Sequence, residues 1–133
     1  MLDTSPLTLV VERFADRLRA APQSRLQRGA AAEALELARE LAVRAQRLES
    51  AAGAAEAGAA PGATPARVVP DAGIFVVGDQ VAVAGLDLVE ALRATATATA
   101  TAAAPAPDDA KAPSAMLDEA VRLVERAEIR AMR

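Results

Sequence analysis

The chain has 133 residues, of which 25% are charged and 53% hydrophobic, and its formal net charge is −3. This length fits one small domain, and the negative net charge excludes a global basic field that would attract nucleic acid. Cysteine and histidine are both absent, which excludes disulfides, thiol chemistry, the commonest general base and the commonest transition-metal ligands.

The first predicted element is a helix from about Pro6 to Ala21. Ser5 is a suitable N-cap, and proline fits the first helical position because its missing N–H has no partner there. Apolar side chains recur at helical spacing and form one face, which consists of Leu7, Val10, Val11, Phe14 and Leu18. Pro22 ends the helix.

The second predicted helix, Ser24–Ser50, is the clearest single element of the sequence. Ser24 and Gln27 fit a capping box. Past them an apolar stripe recurs every three or four residues, at Ala30, Ala34, Leu37, Leu41, Ala45 and Leu48. Because only Pro22 and Gln23 separate it from the first helix, and short connections make antiparallel neighbours, we expect the two helices to form an αα-hairpin.

Residues 51–66 are rich in alanine, glycine and proline and predict a flexible linker. The region after it has two interpretations. A β-hairpin near 74–84 would place Gly78–Asp79 at the turn, whereas a helix would align Val77, Val81, Ala84, Leu88 and Leu92 in one stripe. The helix is favoured because a lone two-stranded hairpin is marginally stable. In that case we expect residues 68–77 to lay Ile74, Phe75 and Val77 over the core.

Residues 94–113 contain an alternating Ala-Thr run followed by several prolines, and they predict a second flexible linker. The last helix is expected from about Ala115 to Met132, with Ser114 as its N-cap and acidic residues in its first turn. Its apolar face consists of Leu117, Ala120, Val121, Val124, Ala127 and Ala131.

The predicted fold class is therefore all-α: a small bundle of about four helices in one domain, 1–133, with an N-terminal αα-hairpin and two tethered helices. The alternative adds a short β-hairpin near 74–84. No uncharged apolar run is long enough to span a membrane, and the first residues do not resemble a signal peptide. We expect a cytoplasmic protein, and the alanine- and arginine-rich, lysine-poor composition is typical of a GC-rich bacterium.

Catalytic motifs are absent, so we predict neither an enzyme nor a cofactor or metal site. The glycines lack the strand, lysine and helix that a phosphate-binding loop needs. Carboxylates are the only remaining chemistry. Glu33, Glu36 and Glu40 share one side of a helix, where a solvated face is the better interpretation than a metal site. Asp79 and Asp87 are better interpreted as a helix cap and a surface residue than as a site.

Four arginines lie near the corner between the first two helices: Arg17, Arg19, Arg25 and Arg28. Arg25 and Arg28 fall at a predicted helix N-terminus, where positive charge is unfavourable, and arginine forks bind phosphate or carboxylate. This corner is a candidate site for an anion or an acidic partner, although the sequence carries no aromatic residues among the arginines for base stacking.

The favoured function is that of a non-catalytic helical protein that interacts with another protein or acts as a regulator or adaptor. Its large core-forming side chains are few, which makes a protein partner or self-association, such as a homodimer, more plausible. The alternative is a module that binds a phosphate-bearing ligand or nucleic acid through the arginine corner. Nucleic acid is the less expected partner.

Overall fold

The computed structural model describes residues 2–57, 68–101 and 111–133. It confirms the all-α fold class, because these residues contain helices and no strand. The four long helices are α1, Ser5–Ala20; α2, Ala31–Ala57; α3, Val77–Thr101; and α4, Pro113–Ala131.

One hydrophobic core is shared by all four helices. Its largest fully buried side chains include Phe14, Leu41, Leu88, Leu92 and Val124. The predicted apolar stripes form the buried faces of the helices. Many of the core residues of α2 and α4 are alanines. Alanine removes little surface from water but lets helix backbones approach closely, so the core depends on close packing more than on bulk.

Helix α3 is central, since it packs against both α1 and α2. Two contacts give its direction relative to α1: Arg19 binds Asp79 near the start of α3, and Thr4 binds Arg93 much further along. Later residues of α1 thus meet earlier residues of α3, and the two helices run antiparallel.

Helices α2 and α3 run parallel. Leu35 and Val77 line one cavity between them, and Ala42 and Ala84 line the next one along. The order of these pairs along the chain is the same in both helices, which makes the two helices parallel.

Helix α4 runs antiparallel to α2. Glu33 pairs with Arg130 and Arg44 pairs with Glu119, so the end of α4 lies beside the start of α2. Together the contacts describe an arrangement in which α1 and α4 point one way and α2 and α3 the other.

The predicted pairing of the first two helices as an αα-hairpin is wrong. Helix α1 packs against α3 and α4, and α2 packs against the same two helices, whereas α1 and α2 are not substantial neighbours. The short connection does reverse the chain direction. Its second half is a kinked turn rather than the start of a straight helix. After this turn, α2 lies on the opposite side of the bundle from α1.

Because of this kink, the start of the predicted helix Ser24–Ser50 is wrong. A short helical turn, Gln23–Arg25, and a kinked segment, Leu26–Ala30, precede α2, and Gly29 within that segment adopts φ 137°. Only glycine enters this region readily. No side-chain capping bond forms at this start, so the predicted Ser24–Gln27 capping box is absent.

Two glycines of α3 lie against α1. A Cβ added to Gly85 would lie 2.5 Å from Val11 Cγ1, and one added to Gly78 would lie 3.1 Å from the Ala15 carbonyl oxygen. Both glycines therefore permit a close approach of the two helix backbones.

The region near 74–84 is helical from Val77 onward, so the helix interpretation is confirmed over the β-hairpin. Segment 68–76, the stretch before α3, follows the predicted extended path only in part. Val77 is buried and Ile74 is half-buried, but Phe75 is 73% exposed. The expectation that Phe75 covers the core is wrong.

Both predicted linkers begin as helix. Residues 51–57 continue α2 and residues 94–101 continue α3; residues 58–66 and 102–110 lie outside the described residues. Alanine is the strongest helix former. The Thr95 and Thr99 hydroxyls donate to the main-chain carbonyls of Ala91 and Thr95, at 2.8 and 2.9 Å, which satisfies them within the helix.

The helix starts differ slightly from prediction. Thr4 rather than Ser5 precedes α1, and Ala112 rather than Ser114 precedes α4, with a proline in the first turn of each helix. Within the ranges that the structure describes, no helix combines the length and the apolar character that crossing a membrane requires.

Candidate functional site

An apolar groove lies on the surface between α2 and α3 and is bordered by segment 68–76. Its cavity has a volume of about 390 Å³. Ala42 contributes from α2, Val83 and Ala84 from α3, and valines and a proline from the segment. Concave apolar surfaces of this kind are the usual binding sites of proteins.

Two side chains hold segment 68–76 in place from opposite sides. Arg39 of α2 donates from Nε to the Val69 carbonyl oxygen at 3.0 Å, and Gln80 of α3 donates from Nε2 to the Pro70 carbonyl oxygen at 2.7 Å. Because both acceptors belong to the main chain, the border of the groove is fixed at its backbone and its apolar side chains remain available.

Exposed apolar side chains line the groove or adjoin its lining residues along the chain. The exposed fractions are 75% for Val68, 73% for Phe75, 60% for Val83, 50% for Leu86 and 40% for Val76. Scattered single apolar residues are normal on protein surfaces, whereas contiguous ones mark interaction sites. By contrast, Leu9 and Ile129, which are also exposed, do not line the groove.

Among the described residues, the two charged ones that line the groove are acidic. Asp79 accepts hydrogen bonds from Arg19, with an Nη2–Oδ1 distance of 2.7 Å. Asp87 makes no hydrogen bond or ion pair within the described residues and is exposed. An apolar cleft with carboxylates at its edge favours a ligand that combines an apolar surface with positive charge.

The candidate arginine corner is divided among several acceptors. Arg17 donates from Nη1 to Glu128 Oε2 of α4 at 3.2 Å, whereas Arg19 binds Asp79 of α3 and Asp16 of its own helix. These hydrogen bonds, that of Asp79 first, raise the pKa of the Arg19 guanidinium above its ordinary value.

The other two arginines of the corner bind main-chain oxygens. Arg25 donates from Nη1 to the Arg133 oxygen and Arg28 from Nε to the Ser24 oxygen, both at 3.3 Å. The four guanidinium groups therefore bind different parts of the molecule. They do not converge on a common point where one anion would bind.

The most enclosed charged group is Glu128, whose side chain is only 7% exposed. Arg13 donates to it through Nε and Nη2, the shorter distance being 2.7 Å, and Arg17 adds a third donor. The bond to Glu128 raises the pKa of Arg13. Among the described residues, the donors to this carboxylate are all side chains of α1, so the cluster joins α1 to α4.

Within the described residues, no group of three or more potential metal ligands comes together. Glu33 pairs with Arg130 of α4, with an Nε–Oε2 distance of 3.0 Å, and Glu40 pairs with Arg44 at 2.9 Å. These ion pairs agree with the interpretation of a solvated helix face.

No protein-family model, no curated protein and no solved structure matches this chain, so only its own residues inform its function.

The groove was not predicted from the sequence, although the sequence contains a signal for it. Val83 and Leu86 fall off the buried stripe of α3, and an acidic residue, Asp87, follows them directly. Apolar side chains that lie outside the stripe of an amphipathic helix are candidates for a second contact surface. The part contributed by segment 68–76 depends on tertiary contacts that no periodicity reveals.

Proposed function

We propose that this protein is a non-catalytic interaction protein whose groove between α2 and α3 binds an amphipathic helix of another protein. The observation that supports this is the contiguous exposed apolar surface around Val76, Val83 and Leu86. A helix laid into such a groove buries its own apolar face against these side chains. A protein that binds a partner without catalysing a reaction on it fits a regulatory or adaptor role.

The acidic charges at the groove favour a partner protein of different sequence over a second copy of this chain. Two copies meeting through this surface would bring Asp79 and Asp87 of each into proximity, and like charges oppose association. The net charge of −3 acts in the same direction. The fitting occupant carries arginine or lysine beside its apolar stripe.

The test uses two designed helical peptides with the same leucine stripe, flanked by arginine in one and by glutamate in the other. We expect fluorescence anisotropy to show saturable binding of the arginine peptide, weakened by added salt. The variant Val83→Asp should lose it. Leu9→Asp is the matched control, because Leu9 is similarly exposed, at 66%, but lies on α1.

Equal binding of the peptides to wild type, Val83→Asp and Leu9→Asp would refute the groove as the binding surface. A melting temperature that rises with protein concentration, and does so less in Val83→Asp, would show that a second copy occupies it instead. In the native host, the proteins of interest are those retained by wild type and Leu9→Asp but lost from Val83→Asp.

A cytoplasmic location is part of this proposal and is tested by fractionation of the host. The alternative, a phosphate or nucleic-acid module at the arginine corner, has less support because Arg17 and Arg19 already bind carboxylates. Nucleic-acid retention that falls when Arg25 and Arg28 are reversed in charge would favour it.

A further inference from the structure

A second cavity lies next to the groove, at the kink before α2, and has a volume of about 340 Å³. We name it the kink cavity. Gly29 and Leu35 line it from the α2 side, and Asp71, Gly73 and Gln80 line it from the α3 side. Its volume is at the lower end of the range for small-molecule sites, ~300–1,000 Å³.

The backbone is unusual on both sides of this cavity. Gly29 has φ 137° and Gly73 has φ 103°, and these are the positive-φ residues of the described chain. A Cβ built on either would meet no atom within 4 Å, so crowding does not account for glycine there. Gly29 also lies at the kink between two helical segments, and residues held in sparsely populated backbone conformations cluster at functional sites.

Gln80, which lines both this cavity and the groove, carries a buried hydrogen-bond acceptor. The Gln80 side chain uses Nε2 to bind the Pro70 carbonyl oxygen, which fixes the orientation of its amide because a carbonyl needs a donor. Its Oε1 is buried and has no hydrogen-bond partner among the described residues. An unpaired buried acceptor is costly, and a ligand with an N–H or O–H group would satisfy it.

The charge of the lining selects among such donors. Among the described residues, Asp71 is the one charged residue that lines the cavity, and one of its oxygens, Oδ1, accepts from the Gly73 N–H at 3.2 Å. Gln27 adds a second polar side chain, and leucine, isoleucine, valine and alanine side chains form the remaining walls. We propose that the kink cavity binds a small molecule with an apolar body and a protonated amine, which donates to Gln80 and faces Asp71.

The test is an NMR titration of the full chain with three probes of the same shape: 2-phenylethylamine, 2-phenylethanol and phenylacetate. We expect the amine to shift the amide signals of Gly29, Gly73 and the Gln80 side chain in a saturable way. The amine should bind about fivefold more tightly than the alcohol, as fits one exposed carboxylate, and phenylacetate should bind least.

Two variants examine the site itself. Ala32→Phe adds a ring from an exposed lining position and should abolish the shifts, whereas Ala115→Phe, at an exposed position of α4, should not. Asp71→Asn should remove the preference for amine over alcohol. Unfolding of each variant is followed by circular dichroism, so that loss of binding is distinguished from loss of structure.

Absence of saturable shifts with every probe would show that the cavity holds only water and would overturn the proposal. So would amine shifts that persist unchanged in Ala32→Phe. These results are independent of the helix-binding groove, because the helical peptides and the variant Val83→Asp report on different side chains.

Discussion

Gly85 sets the distance between α1 and α3. Replacing it with alanine would place a methyl group 2.5 Å from Val11 Cγ1, and valine has little rotamer freedom in a helix to move away. Overpacking costs ~1–3 kcal/mol, against a gain of about 1 kcal/mol in helix propensity. We expect Gly85→Ala to lower the free energy of unfolding, measured by urea denaturation.

The companion variant Val11→Ala should make Gly85→Ala much less harmful, since it removes the two methyl groups that the new Cβ would meet. A double-mutant cycle measures this coupling. An unfolding free energy that rises in Gly85→Ala alone would show that the helices separate without cost. The sequence alone does not reveal this role of Gly85, because the identity of its neighbour depends on the topology.

Glu128 and its arginines should respond unequally to substitution. The carboxylate is buried, whereas the side chains of Arg13 and Arg17 are 55% and 52% exposed. Replacing Glu128 with methionine frees two arginines that can turn to water. Removing both arginines instead leaves the buried Glu128 carboxylate without a partner, which is the more costly defect.

We therefore expect Glu128→Met to destabilise less than the pair Arg13→Met and Arg17→Met, with a difference of about 1–3 kcal/mol in unfolding free energy. Urea denaturation of the variants tests this. The reverse order would mean that water reaches the carboxylate in the folded state. The position of Glu128 was readable in principle, because it lies four residues after Val124 on the stripe of α4.

The start of α4 is held to the rest of the chain by Glu119. Its carboxylate accepts from Lys111 Nζ at 2.7 Å and lies 3.5 Å from Arg44 of α2. The Lys111 bond and the positive charges lower the pKa of Glu119 below its ordinary value. Lys111, taken as a linker residue from sequence, thus contacts α4.

A lowered pKa has a defined consequence for stability. The contribution of Glu119 is present above the ordinary glutamate pKa of about 4.3 and is lost as the pH falls through the lower folded-state pKa. We expect Lys111→Met to raise the Glu119 midpoint in a ¹³C NMR titration toward the ordinary value. Identical midpoints in both proteins would show that Lys111 does not hold this carboxylate in solution.

Element positions were largely predictable, and element ends were not. The stripes of α1, α2, α3 and α4 follow directly from helical periodicity. The kink at Gly29 was not predictable because Ser24 and Gln27 form a capping pattern that the fold does not use. The Ala-Thr run was misjudged because it carries no stripe; its helix depends on alanine propensity and on continuation from α3.

At the scale of the whole molecule, one shared core predicts one cooperative unfolding transition. Leu41 is completely buried, so Leu41→Asp places an unpaired charge in the core and should unfold all four helices together. Val43, two residues away, is 36% exposed, and Val43→Asp should melt almost as wild type does. Circular dichroism and amide hydrogen exchange provide the measurement. Loss of helix from α2 alone in Leu41→Asp would contradict a shared core.

The arrangement of the helices could not be read from the sequence. Alanine-rich stripes fit many neighbours equally well, and long connections permit parallel as well as antiparallel packing. The ion pairs that determine the order, such as Glu33 with Arg130, join residues far apart in sequence. The groove shares this limit, because Ala42, Val68 and Val83 meet only after α2 and α3 have packed in parallel.

The parallel course of α1 and α4 determines how the molecule would bear a mechanical load. Thr4 lies beside Arg93 and Arg133 beside Arg25, so the start of α1 and the end of α4 lie at opposite ends of the bundle. Tension between them would slide the two helices lengthwise rather than peel them apart. The Glu128 cluster lies across that sliding direction, where its bonds would have to break together and slow forced unfolding.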